Sequence, residues 1–162
     1  MKPLRTEQEL KSARRELFDS FPFDNGAQEQ WSYQERLVKE VLRTEDEICF
    51  DRSPERKAHL RSVRTYADAL AWANLSDYSI RQLARNTGKS PFLSHQREAF
   101  EWTMNFARTL ADQGTPVLFA DLTNILKIGD LIVCTDPNAP TLFECKLSKA
   151  KDARDRGVVE GN

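Results

Sequence analysis

Histidine is nearly absent from this 162-residue chain, which has only His59 and His95. That scarcity leaves imidazole-based metal chemistry with little to work with. Cysteine is just as sparse. Cys49, Cys134 and Cys145 form an odd, widely separated set, which argues against both a disulfide framework and a zinc site. No apolar run approaches the ~20 residues of a membrane span. The opening residues MKPLRTEQEL lack the apolar core of a secretory leader. The expected location is therefore cytoplasmic, with no membrane partner. Charge of one sign is also missing. The 24 Lys and Arg balance 25 Asp and Glu, giving a net charge of −1. Nucleic acid would not be drawn to the molecule as a whole, so any such contact needs a local basic patch. No internal repeat or low-complexity linker is visible.

The chain is 40% hydrophobic and 30% charged, as expected of a globular protein. Its length suits one domain, or one domain with an appendage. Apolar residues recur at three and four from residue 4 to about 113, which predicts helices over 4–18, 27–50, 54–74, 77–86 and 91–112. Thr6 is a candidate N-cap. Ser53-Pro54 places a capping residue before a proline at the first helical position. The strand period begins only at Thr115–Ala120. The reading is α/β, with a helical portion over 1–90 and a sheet-bearing portion over 91–162.

The stretch Ile125–Lys149 reads as two strands, 127–135 and 141–148, joined by the turn DPNAP. Alternation puts Phe143, Cys145 and Leu147 on one face and Glu144, Lys146 and Ser148 on the other. A carboxylate and an ammonium on one face, beside a strand carrying Asp130, make a charged cluster. Such charge is costly in an apolar sheet unless it is paired or metal-bound.

Gly129-Asp130 in one strand, then Glu144-Cys145-Lys146 in the next with thirteen residues between, resembles the PD-(D/E)xK nuclease superfamily, the restriction-endonuclease-like fold. Gly129 stands where the family pattern has Pro. The likeness covers roughly residues 95–162. E-x-K alone means little, since it recurs at Glu9-Leu10-Lys11 and Glu55-Arg56-Lys57. The resemblance implies a mixed sheet and Mg²⁺- or Mn²⁺-dependent cleavage of phosphodiester bonds, with DNA as the expected partner. It implies Asp130 and Glu144 as metal ligands, with the backbone carbonyl of Cys145 as a further one. Lys146 would polarise the attacking water. Members of the family often add a helix glutamate, for which Glu98 and Glu101 are the candidates, with Asp121 a third possibility. Mg²⁺ suits such a donor set because it takes carboxylate oxygens and water.

Lys149, Lys151, Arg154 and Arg156 form a basic run that reads either as a solvated helix start or as a phosphate-binding rim. A second basic set is Arg52, Arg56, Lys57, Arg61 and Arg64. Thr87-Gly88-Lys89-Ser90 ends like a P-loop, but Leu83 occupies the position of the required first glycine. Residues 79–90 faintly resemble part of a helix-turn-helix. The family core runs helix, three strands, helix, strand. After Ser148 the sequence offers one helix start and no further strand, so the strand carrying Glu144 is expected to stand as an exposed edge. The chain then reads as a fragment, or as one completed by a homodimer partner or another segment. A non-catalytic helical nucleic-acid-binding or scaffold protein with a small sheet is the alternative function.

Overall fold

A computed structural model describes residues 3–23, 26–84, 92–126, 128–146 and 158–161; for Arg97, Lys146 and 158–161 it describes the backbone alone. Five helices precede a small sheet: α1 Glu7–Asp19, α2 Ala27–Phe50, α3 Pro54–Asn74, α4 Asp77–Leu83 and α5 Arg97–Asp112. The strands are β1 Val117–Phe119, β2 Leu131–Val133, β3 Thr141–Lys146 and β4 Val158–Gly161. Short 3-10 turns at Leu93–Gln96 and Ala120–Leu122 lead into α5 and out of β1.

Local chemistry sets the helix starts. Thr6 caps α1 reciprocally: its hydroxyl accepts the Glu9 N–H at 3.3 Å, and its own N–H donates to Glu9 Oε2 at 2.6 Å. Pro54 opens α3 behind Ser53, whose side chain makes no capping bond. Ser76 caps α4 through the Ser79 N–H at 3.2 Å.

The hydrophobic core is continuous from the helices into the sheet. Leu37 and Val41 of α2, Val63 and Leu70 of α3, Ala107 of α5 and Leu131 and Ile132 of β2 all belong to it. Strands β1 and β2 are buried at every position rather than alternately, because helices cover the sheet. On one side Phe100 and Phe106 of α5 meet Phe119 and Phe143 at ring separations of 5.6 and 5.9 Å.

Buried polar side chains tie the helices to the sheet segments. Gln34 of α2 donates to the Val117 carbonyl at 2.8 Å and accepts the Phe119 N–H at 2.9 Å. Asp68 of α3 accepts the N–H groups of Asn124 and Ile125 at 2.7 and 3.2 Å. Glu45 of α2, fully buried, accepts those of Leu93 and Ser94 at 3.1 and 2.9 Å. At the chain start, Arg5 is buried against Glu47 (2.7 Å), Thr44 (3.1 Å) and Glu40.

Two sheet expectations need correction. The order is β1-β2-β3-β4, and every pairing among the described residues is antiparallel, so the sheet is not mixed. The strand carrying Glu144 is not an edge either, because β4 pairs with it and sets Glu144 opposite Glu160. Val158-Val159 between glycines is too short an apolar run to read as a strand by itself; pairing with β3 makes it one. The second basic set does not form one exposed face. Arg56 and Arg64 are buried, whereas Arg52, Lys57 and Arg61 are exposed.

Candidate functional site

Asp130 stands one residue ahead of β2, with its backbone held from both sides. Its N–H donates to the Phe143 carbonyl at 2.8 Å, and its carbonyl accepts the Ala120 N–H at 3.0 Å. Gly129 makes the approach possible. It has φ of +72°, and a Cβ there would lie 3.2 Å from the Phe143 carbonyl oxygen.

The Asp130 side chain turns back onto β3, where Oδ2 accepts the Cys145 N–H at 2.5 Å. Strand N–H groups point in the plane of the sheet. The carboxylate therefore occupies the place of a ladder acceptor where the regular β2–β3 pairing stops. Burial pushes the Asp130 pKa up, the Cys145 N–H pulls it down, and the charge of Glu144 pushes it up again. The two carboxylates are close enough to feel each other.

Alternation along β3 separates its residues. Glu144 is exposed, while Phe143 and Cys145 are half-buried toward α5. A cavity of about 60 Å³ lies on that side, lined by Gln96, Phe100, Thr103, Asp121, Asp130 and Cys145 among others. That is room for more than one water molecule, each needing roughly 10–15 Å³ by this measure. Burial raises the Cys145 thiol pKa, partly countered by a hydrogen bond with Thr103 and reinforced by Asp130.

Glu98 and Glu101 are exposed on α5 and do not line the cavity. Ala99, Phe100 and Thr103 form the α5 face that does, and Asp121 of the 3-10 turn is a second acid on the cavity lining. Asp121 is held from behind. The Arg64 guanidinium donates to its carbonyl and pairs with Glu45 at 3.3 Å. Burial lowers the Arg64 pKa, against the opposing charges of Glu45, Asp121 and Asp68.

Lys146 lies on β3 opposite Val158. Its side chain is outside the described residues, as are Lys149, Lys151, Arg154, Arg156 and the P-loop-like 87–90. Sequence reasoning missed the Glu45–Arg64 pair, whose only signal was an acid and an arginine at helix positions later found to face inward. It also missed Glu160 opposite Glu144, because no strand was legible there. Among the described residues no group of three or more His, Cys, Asp or Glu is placed to hold a metal ion. A surface groove of about 740 Å³ runs along α1 and α2, from Pro3 to Phe50, and shares no residue with this site.

No protein-family model matches the chain, and no curated protein or solved structure does either.

Proposed function

We propose that the chain is a metal-dependent nuclease hydrolysing phosphodiester bonds, with DNA as its substrate and Asp130, Glu144 and Lys146 as its working residues. One observation carries the reading. The G-D dipeptide delivers its carboxylate onto the Glu-Cys-Lys strand, at the Cys145 N–H and within electrostatic reach of Glu144. Residues fourteen apart in sequence thus become neighbours at a strand end.

The chemistry of the donors suits a hard divalent cation. A carboxylate whose proton affinity is raised partly by a neighbouring carboxylate is relieved by a cation beside it. A strand carbonyl and water complete an oxygen-only set, which suits Mg²⁺ or Mn²⁺, a metal that needs only one or two protein carboxylates. Bound there, the ion would neutralise phosphate charge and acidify a water. Asp130 and Glu144 would hold it, the carbonyl of Cys145 would add a neutral donor, and the Lys146 ammonium would offset the charge developing on the phosphate.

The same hydrogen bond favours a second reading. A carboxylate that accepts a strand N–H at 2.5 Å also does structural duty as a sheet terminator. A non-catalytic nucleic-acid-binding or scaffold protein would need nothing more from it. Incubation of plasmid and of single-stranded oligonucleotide with Mg²⁺ or Mn²⁺ separates the two. Cleavage that EDTA and Glu144→Ala both abolish supports the nuclease; intact substrate in every condition supports the binding protein.

A further inference from the structure

A groove of about 570 Å³ opens between α1 and α3, lined by Arg14, Arg15, Phe18, Asp19, Ser62 and Tyr66. Phe18 is 59% exposed, an aromatic ring that the fold leaves to solvent beside two arginines. Tyr66 forms the floor, its hydroxyl donating to the Arg14 carbonyl at 3.2 Å. The acids nearby do not cancel the cations. Arg15 meets Asp19 only at 3.6 Å, in a pair exposed on both sides, which is worth little. Glu7 pairs first with Lys11 at 2.7 Å, and its charge reaches Arg14 only as the weakest of its interactions.

The groove and the loop that follows the cavity residue Asp121 both border α3. Asn124, three residues beyond Asp121, donates to the Arg61 carbonyl at 3.3 Å and to Asp68 at 2.9 Å. Residues 61, 65 and 68 of α3 thus face the loop that leads from the cavity. Ser62 and Tyr66 stand one stripe further round the same helix, and the exposed Arg61 falls between the two surfaces.

We propose that this groove holds a single nucleic-acid strand, with the Arg14, Arg15 and Arg61 guanidiniums on its phosphates and Phe18 stacked on an unpaired base. Arginine beside an exposed ring is the combination by which single strands are held without reading their sequence. An acidic peptide would use the arginines and leave the ring idle; a duplex would hide the base faces the ring needs. The strand's course toward Asp130 rests on the nuclease reading, but its seat in the groove does not.

Fluorescence anisotropy with labelled dT20 and rU20, in EDTA so that nothing is cleaved, tests the groove directly. Parent protein should bind, and unlabelled duplex should compete at least tenfold less well. Arg14→Ala with Arg15→Ala should weaken binding at least tenfold and flatten the log–log salt dependence by about 1.4, the share of two phosphate contacts on a single strand. Phe18→Ala should weaken binding several-fold and leave the slope alone. Arg15 and Phe18 are exposed and Arg14 is half-buried, and thermal melts should confirm that the variants fold. Equal loss on dT20 and rU20 means the strand is held without regard to sugar; loss on one alone assigns the groove to that nucleic acid. No binding by the parent, variants that bind like it, or a preference for duplex would overturn the proposal. Groove-dependent binding without cleavage in Mg²⁺ or Mn²⁺ would sink the nuclease reading and leave the groove standing.

Discussion

The Asp130 carboxylate and the Cys145 N–H meet at 2.5 Å, so the residue proposed to hold metal also ends the β2–β3 ladder. The two duties separate by substitution. Asp130→Asn keeps an acceptor for the N–H and should fold at least as stably as the parent. Asp130→Ala leaves that N–H unpaired and should cost about 1–3 kcal/mol. Urea titrations of the two variants read the difference, and equal stability would remove the structural duty.

The Asp130 pKa is raised in the folded state. A raised carboxyl favours folding most when protonated, below its unfolded pKa, and that contribution is lost as pH rises through the folded value. Replacement by Asn should therefore flatten the acid-side stability profile in that window. Metal binding runs the other way, since it needs the carboxylate and should fade as pH falls through the same raised value. Mn²⁺ titrations across the acid range check the second half.

In the nuclease reading, Asp130→Asn, Glu144→Ala and Lys146→Ala should each lower metal-dependent cleavage at least 100-fold. Cys145→Ser should lower it less than tenfold, because only the backbone of that residue is proposed to touch metal. A Lys146→Ala protein that cleaves like the parent shows that this lysine has no catalytic duty.

Gly129→Ala should destabilise by about 1–2 kcal/mol from its positive φ alone, with more from the 3.2 Å approach to the Phe143 carbonyl. The strain falls next to Asp130, so cleavage should suffer beyond the loss of stability. A melting temperature equal to the parent's would contradict this.

Arg5→Ala should destabilise by about 1–3 kcal/mol, because Glu40 and Glu47 lose a buried charged partner and keep only His59, Arg43 and Arg56. Burial raises the Glu40 pKa, but hydrogen bonds from His59 and Arg5 more than offset this and leave it lowered. Its stabilising charge is present above the ordinary carboxylate value and lost as pH falls through the lowered one. The variant should consequently show a shallower acid limb in chemical denaturation.

The helices were legible because each carries its own signals: Thr6 as an N-cap, Ser53 before Pro54, and apolar residues at three and four. The Asp136–Pro140 turn was legible too, from residues that favour turns. What stayed hidden depends on partners distant in sequence. Arg56 and Arg64 look like surface cations until Asp51, Glu45 and Asp121 are seen around them. Glu98 and Glu101 share a helix with the cavity-facing Thr103, yet they lie roughly 140–160° around it and face solvent. β4 has almost no strand signal of its own and exists through pairing with β3. At the site, the G-D and E-C-K stretches were visible, but Asp130 taking the Cys145 N–H was not, since no spacing encodes which donor a carboxylate chooses.

Gln34 has a consequence for association. Its amide donates to Val117 and accepts from Phe119 as a neighbouring strand's backbone would, so the outer flank of β1 is already taken. A foreign strand or a second copy cannot add there without expelling a buried glutamine from its place. Any growth of the sheet by strand addition is therefore directed to its far side, beyond β4, with β4 standing between the newcomer and the strand that carries Glu144.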